Sequence, residues 1–236
     1  MRSSVHAVIA VKSLGLAKSR LADRLPPHDR PHLVLAMLAD TVVAATATPE
    51  VESVTVVTPD PRVSDLVHGL GARVIPEPTA PDHRTGLNSA LAAAARAVRD
   101  THGPVELLAL QADLPALRPD ELSGMLATAP ARGRSVVVDH EGTGTVALLV
   151  RDGSAPLNPL FGTDSARRHI AAGAVELLGD WPGLRQDVDT ADDLTRAVAL
   201  GVGVNTRALL RELDMSRGRG GKSAVDRTGP PVSRPA

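Results

Sequence analysis

The chain has 236 residues and a formal net charge of −1, and 43% of its residues are hydrophobic but only 1% aromatic. This length fits one α/β domain or two small ones, and the near-neutral charge with so few stacking side chains argues against a nucleic-acid binder. Cysteine is absent, which excludes disulfides and thiolate chemistry, and the apolar run near the N-terminus is too short for a signal peptide or membrane helix, so we expect a cytoplasmic protein.

Strand-like and helix-like segments alternate along the chain. Short apolar or alternating runs predict strands at Ala7–Val11, Val51 to Pro59, Arg73–Ile75, Val105–Leu110, Ser135–Asp139, Thr145–Val150 and Ala174–Leu177. Apolar residues at helical spacing predict helices over residues 30–47, 64–72, 86–100, 118–129, 164–173 and 191–201. This order predicts an α/β fold with a mostly parallel mixed sheet flanked by helices, and an antiparallel insertion at one edge.

The end of the chain has a different composition from the rest. After about Leu213 the sequence is rich in Gly, Pro, Ser and Arg and contains almost no residues that form a core. We therefore predict one domain over residues 1–212 and a disordered, solvated tail over residues 213–236. Contact between the basic residues of this tail and phosphates is the alternative.

Basic residues follow the first predicted strand. In an open parallel sheet, ligands bind beyond the carboxyl ends of the strands, and here the loop VKSLGLAKSR places Lys12, Lys18 and Arg20 around Gly15. A glycine turn lets the backbone approach an anion, and the cations offset phosphate charge. The loop matches neither the P-loop nor the dinucleotide-binding pattern, so a solvated basic loop is the alternative.

Asp113 stands at the end of the apolar run Val105–Gln111. A buried strand seldom ends in an unpaired carboxylate, because burying such a charge is costly. We therefore expect Asp113 to lie at the ligand-binding edge of the sheet and its charge to have a partner there. The alternative is that Asp113 caps the next helix, although Pro119 and Asp120 lie nearer to the start of that helix.

A second group of acids lies in the sequence RQDVDTADDL. If this stretch is extended, Asp187 and Asp189 share one face. Together with Asp113 they would form an all-oxygen site, which suits Mg²⁺ bound also to substrate phosphates. The alternative is that Asp189 or Thr190 caps the helix that begins near Ala191.

Three further motifs are candidates for contact with a nucleotide or a small anion. TGLNSAL places Asn88 at a helix N-terminus, where an amide can also pair with a base or ribose. EGTGTVAL offers glycines and hydroxyl groups, including Thr145, before a strand. FGTDSARRHI places Gly162 and Ser165 before a helix. Helix capping and a tight hairpin turn are the structural alternatives, and no histidine spacing typical of a zinc site occurs.

The ordered set VIAVKSLGLAKSRL, LNSAL, LQADLPAL, GTGT, FGTDSARRH and DVDTADDL resembles the guanylyltransferases of coenzyme F420 biosynthesis. The resemblance runs from about residue 5 to 202 and implies a nucleotidyltransferase fold of the Rossmann-like, glycosyltransferase-A-like type. The family pattern has Gly-Asp-Leu-Pro where this chain has Ala112 before Asp113. The likeness is greatest to the actinobacterial branch, which implies phosphoenolpyruvate as substrate, whereas archaeal relatives use 2-phospho-L-lactate.

The same resemblance implies a role for each candidate residue. It implies that Asp113, Asp187 and Asp189 are metal ligands. It also implies that Thr145, Gly162 and Ser165 form the phosphoenolpyruvate site and that Lys12, Lys18 and Asn88 contact the nucleotide, and we expect Arg20 to help hold the triphosphate. Asp113 and Lys18 are the implied catalytic residues.

The implied reaction transfers GMP from GTP to the phosphate of phosphoenolpyruvate, giving enolpyruvyl-diphospho-guanosine and diphosphate, with Mg²⁺ as cofactor. The alternatives are the same reaction on 2-phospho-L-lactate or 3-phospho-D-glycerate, a molybdopterin or sugar-phosphate nucleotidyltransferase, and a nucleotide-binding regulatory domain without turnover. The loop after the first strand lacks the Gly-Gly pattern of the molybdopterin enzymes, and all three acids are present, which disfavours the last two alternatives. The sequence leaves the oligomeric state open, including a homodimer.

Overall fold

The computed structural model describes residues 4–14, 19–21, 24–78 and 86–220. The strands in these ranges are β1 Val5–Ala10, β2 Val51–Thr58, β3 Arg73–Pro76, β4 Glu106–Leu110, β5 Arg134–Val138, β6 Thr145–Val150 and β7 Val175–Glu176. The α-helices are α1 Arg30–Thr46, α2 Pro61–Gly69, α3 Leu87–His102, α4 Pro119–Thr128, α5 Ser165–Ala171, α6 Pro182–Arg185, α7 Ala191–Leu200 and α8 Val204–Gly220. A short 3₁₀ helix covers Ser19–Leu21.

The strands form one seven-stranded sheet in the order β3-β2-β1-β4-β6-β5-β7. β6 pairs antiparallel with both β4 and β5, and all the other pairings are parallel. The predicted mixed sheet with an antiparallel insertion is therefore present. The reversed strand lies inside the sheet rather than at its edge, because β6 is buried at all of its positions and needs neighbours on both sides.

Two apolar layers cover the faces of the sheet. Neighbouring residues of β1 point to opposite faces, so that Ile9 packs with the core formed with α1, α4 and α7 while Val8 packs against α3. Both residues are fully buried. Burial on two faces explains the near-continuous apolar runs of the central strands, which is the pattern that predicted the sheet. Within the described ranges, no helix combines the length and apolarity needed to cross a membrane.

The second helix begins earlier than the sequence pattern predicts. α2 starts at Pro61 rather than near residue 64, because the side chain of Asp60 accepts a hydrogen bond from the Arg62 N–H at 3.0 Å and so caps the helix. Proline fits the first helical turn, where its missing N–H costs nothing. The signal for this start was present in the sequence as Asp60 followed by proline.

The last helix, α8, crosses the predicted domain boundary. It packs its Leu209, Leu210 and Leu213 against the core and continues to Gly220, so the predicted boundary at residue 213 lies within a helix. The remainder of the predicted tail, residues 221–236, lies outside the described residues. The few leucines of α8 stand among many charged residues, which hides the helical pattern in the sequence.

The first turn of α8 is capped by a residue from a distant part of the chain. Asp40 of α1, which is only 6% exposed, accepts hydrogen bonds from the backbone N–H of Asn205 at 3.0 Å and of Thr206 at 2.9 Å. It also accepts from the Asn205 side chain at 2.9 Å. The carboxylate thus satisfies N–H groups that a helix start leaves open and lies at the positive end of the helix dipole.

Replacing the Asp40 carboxylate should destabilise the protein measurably. We expect Asp40→Ala to lower the free energy of unfolding by about 2–3 kcal/mol, because the buried N–H groups at the start of α8 lose their acceptor. Urea unfolding followed by circular dichroism measures this value. Asp100→Ala, at an exposed position of α3, is the matched control and should change the value by less than about 0.5 kcal/mol. Equal effects of the two substitutions would contradict the capping role.

Candidate functional site

Two of the predicted site residues, Asp113 and Thr145, lie at one edge of the sheet. β1, β4 and β5 end there, and β6 begins there because it runs in the opposite direction. The backbone N–H of Gln111 donates to the Val146 carbonyl at 2.9 Å, which joins the segment after β4 to the start of β6. Asp113 and Thr145 therefore lie at the same edge. This is the edge at which open α/β sheets bind ligands.

A buried threonine of α1 holds the backbone on the C-terminal side of Asp113. The Thr41 hydroxyl accepts from the Leu114 N–H at 3.1 Å and donates to the Met37 carbonyl at 2.9 Å, with the Ala112 carbonyl at 3.4 Å. Thr41 has no exposed surface, so these bonds are shielded from water and hold the backbone firmly. Sequence reasoning missed Thr41, whose only signal was a polar residue on the apolar face of a helix.

The other two predicted metal ligands lie on a segment that contacts Asp113 directly. The Val188 N–H donates to the Asp113 carbonyl at 3.2 Å. The Val188 side chain is fully buried in the core, whereas Asp187 is half-buried and Asp189 is exposed. The structure thus brings the segment 187–189 to Asp113, as the sequence predicted. The cap of α7 is Thr190, which forms a capping box with Asp193, so neither predicted ligand serves as the helix cap.

A tighter acidic cluster lies beside these three residues. Within the described part of the chain, the ligand-type atoms of His140, Glu141 and Asp193 all lie within 4.8 Å of one another; the predicted trio is not such a group. The Arg196 guanidinium bonds to Asp193 and lies 3.0 Å from the His140 Nε2. Burial opposes ionisation of Asp193, but hydrogen bonds from Thr190, Asp189 and Arg196 prevail and keep its pKa below the usual value. This cluster is an ion-pair network.

The predicted basic loop is described only at its two ends. Lys12 is exposed directly after β1, and Arg20 is exposed in the 3₁₀ helix, while Lys18 lies outside the described residues. Asp60 fixes the start of the loop, since its carboxylate accepts from the Leu14 N–H at 3.0 Å. Burial opposes ionisation of Asp60, but the N–H groups of Leu14 and Arg62 prevail and lower its pKa.

The glycine-rich turn between β5 and β6 already has an internal anion. The Asp139 carboxylate accepts from the Thr143 N–H at 2.9 Å and from the Gly144 N–H at 2.7 Å. The backbone N–H groups that we predicted to bind a ligand therefore already donate to Asp139. The alternative prediction, a hairpin turn, is confirmed. A Cβ on Gly144 would lie 2.2 Å from an Asp139 carboxylate oxygen, which explains the glycine.

The three residues predicted to bind phosphoenolpyruvate are linked through α5. The Ser165 N–H donates to the Gly162 carbonyl at 3.0 Å at the start of this helix. The Thr145 hydroxyl lies 3.1 Å from Nδ1 of His169, a residue of the same helix. Thr145 and Ser165 are each 2% exposed, whereas Gly162 is exposed and has a φ of 116°. The three residues thus form one group, in which Gly162 supplies the open surface.

Sequence reasoning missed His169, which connects this group. Its ring has no exposed surface, and its Nε2 lies 2.9 Å from the Leu160 N–H, which can only donate. Nε2 must therefore be the unprotonated acceptor, so the proton of the neutral ring is on Nδ1. Burial, opposed by a hydrogen bond to the Ser165 backbone and assisted by the charges of Arg134 and Arg168, lowers the pKa of His169 to about 4.

The structure gives the Asn88 side chain a partner that the sequence did not predict. Its amide nitrogen donates to the Phe161 carbonyl at 3.0 Å, and its amide oxygen accepts from the Phe161 N–H at 2.8 Å. Asn88 thus holds the backbone next to Gly162. The predicted contact between Asn88 and a nucleotide stays a prediction.

Comparison with known proteins places the chain among nucleotide-transferring enzymes. A model of the family described as guanylyl transferase CofC like matches residues 5–227, a range that extends past the predicted domain end at residue 212. A relative from Nocardia farcinica (strain IFM 10152) is named phosphoenolpyruvate guanylyltransferase. It is 67% identical over 213 residues, which cover 90% of this chain and 93% of the relative.

Two solved structures share the fold at low sequence identity. A protein of Desulfovibrio desulfuricans G20, with a proposed nucleotide-diphospho-sugar transferase activity, has a TM-score of 0.69 at 17% identity and covers 92% of this chain and 98% of its own. A nucleotidyl transferase from Methanothermobacter has a TM-score of 0.57 at 19% identity, and the match covers 89% of this chain and 99% of that protein. The predicted nucleotidyltransferase-type α/β fold is confirmed.

The neutral state of His169 should make stability depend on pH. Below pH 6.5 the unfolded chain takes up a proton on this residue, whereas the folded chain does so only near pH 4. The free energy of unfolding should therefore fall by roughly 1–3 kcal/mol more in the wild type than in His169→Gln as the pH is lowered from 6.5 to 4. Urea unfolding at several pH values measures the difference, and parallel curves for the two proteins would contradict it.

Proposed function

The chain belongs to the CofC-like guanylyl transferase family, and we propose that it transfers GMP from GTP to the phosphate of phosphoenolpyruvate. The products are enolpyruvyl-diphospho-guanosine and diphosphate. The observation that carries the proposal is 67% identity, over most of both chains, to a relative that is named for this activity. The site supports it, since Val188 of the acidic segment contacts Asp113 and the Thr145 hydroxyl contacts His169 at the same edge of the sheet.

The proposed reaction requires no protein nucleophile. An oxygen of the substrate phosphate, which is already anionic near neutral pH, attacks the α-phosphorus of GTP. A new P–O bond forms there while the bond to the β-phosphate oxygen breaks, and diphosphate leaves with that electron pair. The protein must therefore hold two anions close together and stabilise the charge on the departing group.

The acids at the edge fit a magnesium ion in their chemistry, and the two segments that carry them are in contact. All three offer carboxylate oxygens, the ligands that Mg²⁺ prefers, and the bond from Val188 to the Asp113 carbonyl joins their two segments. We propose that Asp113, Asp187 and Asp189 hold the ion. When bound there, Mg²⁺ would reduce the repulsion between the two substrates and stabilise the charge of the diphosphate.

Two sets of residues would bind the two substrates on either side of these acids: the basic residues after β1, and the group of Thr145, Gly162 and Ser165, which we call the α5 group. Lys12 and Arg20 are exposed at the ends of the loop after β1, where they can bind the triphosphate, and we assign Lys18 of the same loop to this role. Thr145, Gly162 and Ser165 would bind the acidic substrate. Because Gly162 is exposed and the two hydroxyl groups are buried, we propose that Gly162 meets the substrate at the surface and that the hydroxyl groups donate to it from beneath.

A substrate panel tests the proposed function directly. We expect rapid diphosphate release when the protein is mixed with GTP, Mg²⁺ and phosphoenolpyruvate, and much slower release with ATP, CTP or UTP. The same assay with 2-phospho-L-lactate and 3-phospho-D-glycerate separates the remaining acids. With phosphoenolpyruvate the protein would belong to coenzyme F420 biosynthesis in the cytoplasm, where both substrates are metabolites. Failure to release diphosphate with any acid would reject the proposal.

Removing the charge of Asp113 should abolish most of the activity without unfolding the protein. We expect Asp113→Asn to lower kcat by about 100-fold or more, because one carboxylate ligand of the ion becomes a neutral amide. Diphosphate release and a Mn²⁺-binding titration measure the two effects. Asp120→Asn is the control, since that carboxylate is 69% exposed and pairs with Arg118. Near-normal turnover of Asp113→Asn would remove Asp113 from the metal site.

Changes in the α5 group should act on one substrate only. We expect Thr145→Ala and Ser165→Ala each to raise the KM for phosphoenolpyruvate by about tenfold, the effect of losing one hydrogen bond to a charged group. The KM for GTP should stay within about twofold. Steady-state kinetics with each substrate varied in turn measure both values, and the reverse pattern would show that the two pockets are exchanged.

A further inference from the structure

The segment that carries Gly162 is held in an unusual backbone conformation. Asn158 has a φ of 41°, Gly162 of 116° and Asp164 of 53°. Residues other than glycine rarely adopt positive φ, and each such residue costs about 1–3 kcal/mol, so the conformation persists only where the surroundings impose it. Such strain is concentrated at ligand sites, which makes the surroundings of this segment informative.

Several side chains impose this conformation by binding the backbone of the segment. Arg134 donates to the carbonyl groups of Leu157 and Asn158 at 2.7 and 2.9 Å. Asn88 binds both polar atoms of the Phe161 backbone. His169 accepts from the Leu160 N–H at 2.9 Å and also contacts Phe161, with an edge-on ring arrangement at 5.3 Å. Of these three side chains, His169 is the one that also reaches Thr145.

The bond from Leu160 fixes the chemical direction of the bond to Thr145. A backbone N–H can only donate, so Nε2 of His169 accepts, and the neutral ring carries its proton on Nδ1. Nδ1 carries its proton 3.1 Å from the Thr145 oxygen, so the hydroxyl can accept from this nitrogen but cannot donate to it, and the Ser165 backbone is a second acceptor for the same proton. A hydroxyl that accepts this bond keeps its own proton for donation to another group. The acceptor that the proposed reaction brings to this place is an anionic oxygen of the substrate.

We propose that His169 is a positioning residue of the acid site, which donates its Nδ1 proton to Thr145 and so holds the Thr145 hydroxyl as a donor toward an anionic oxygen of the substrate. This inference rests on the proposed function, in which Thr145 belongs to the acid site. It assigns the site a preference for acids, since a donor-only hydroxyl favours a carboxylate or phosphate oxygen over a group that itself needs to donate.

A matched pair of substitutions separates the two bonds of the ring. His169→Gln keeps an oxygen that can accept from the Leu160 N–H but removes the donor to Thr145. His169→Asn places an amide nitrogen near the position of Nδ1 and keeps a donor to Thr145. We expect the KM for phosphoenolpyruvate to rise about tenfold in His169→Gln and at most about threefold in His169→Asn, with the KM for GTP within twofold in both.

A double-substitution cycle distinguishes positioning from a purely structural effect. If His169 acts through the Thr145 hydroxyl, His169→Gln should add no further rise in the KM for phosphoenolpyruvate once Thr145→Val is present. His6→Gln is the control for the loss of a buried histidine. His6 is 2% exposed and bonds through Nδ1 to the Ser53 hydroxyl at 2.8 Å, but it lies near the opposite end of β1. This variant should leave both KM values unchanged within twofold.

The outcomes separate this inference from the proposed function. The role of His169 would be overturned if His169→Gln left the KM for phosphoenolpyruvate unchanged or raised the KM for GTP equally. It would also be overturned if His169→Gln raised the KM for phosphoenolpyruvate by the same factor in the Thr145→Val background. If the wild type uses another phosphorylated acid, the cycle is run with that acid. A wild type without diphosphate release would instead reject the proposed function.

One measurement on the wild type needs no substitution. A long-range ¹H–¹⁵N spectrum of the imidazole groups reports which ring nitrogen carries the proton, and we expect Nδ1–H for His169 near neutral pH. A proton on Nε2 would overturn the inference even if every His169 variant failed to fold.

Discussion

The direction of β6 is the constraint on which the arrangement of the site depends. Six of the seven strands point one way, and β6, between β4 and β5, points the other way. Its first residue, Thr145, therefore lies beside the residues that follow the last residue of β4. If β6 were parallel to its neighbours, Thr145 would lie at the opposite edge of the sheet from Asp113. The two residues would then be separated by the length of the strand, at about 3.3 Å per residue.

Around this edge the fold uses one device repeatedly, namely a buried carboxylate that accepts backbone N–H groups. Asp40 caps α8, Asp60 holds the loop after β1, Glu121 binds the first N–H groups of α6 and Asp139 closes the β5–β6 turn. Each of these charges is stabilised by donors that a loop or helix start leaves open. These four acids stabilise structure, whereas Asp187 and Asp189 flank a buried valine and face outward.

Much of the fold could be predicted from the sequence because its signals are local. Apolar runs located the strands, and the acidic and glycine-containing motifs were correctly expected at the ends of strands and helices. The structural roles of Asp139 and Asp193 were not predicted, since they bind backbone N–H groups of turns whose geometry one sequence does not specify. The α8 helix was missed for a similar reason: its cap, Asp40, lies 165 positions before Asn205.

The connections among the residues of the candidate site could not be predicted from the sequence. Thr145, Gly162 and Ser165 were expected at the site, whereas His169, which bonds to Thr145, has no sequence signal other than being a histidine within a helix. The two amide contacts of Asn88 also depend on the positive φ values of residues 158–164. Such values are imposed by tertiary contacts, which neither composition nor spacing records.

A neutral histidine at a site for an acid has a physical reason. An imidazolium would attract the substrate more strongly, but its second proton would point at the Leu160 N–H and break the bond that holds the strained segment. Burial and two neighbouring arginines keep the ring neutral, so its contribution is direction rather than charge. Because Arg134 and Arg168 also bond to carbonyl groups of this segment, the same cations that suppress protonation of His169 hold the backbone in place. The neutral ring and the strained backbone therefore share the contacts of Arg134 and Arg168.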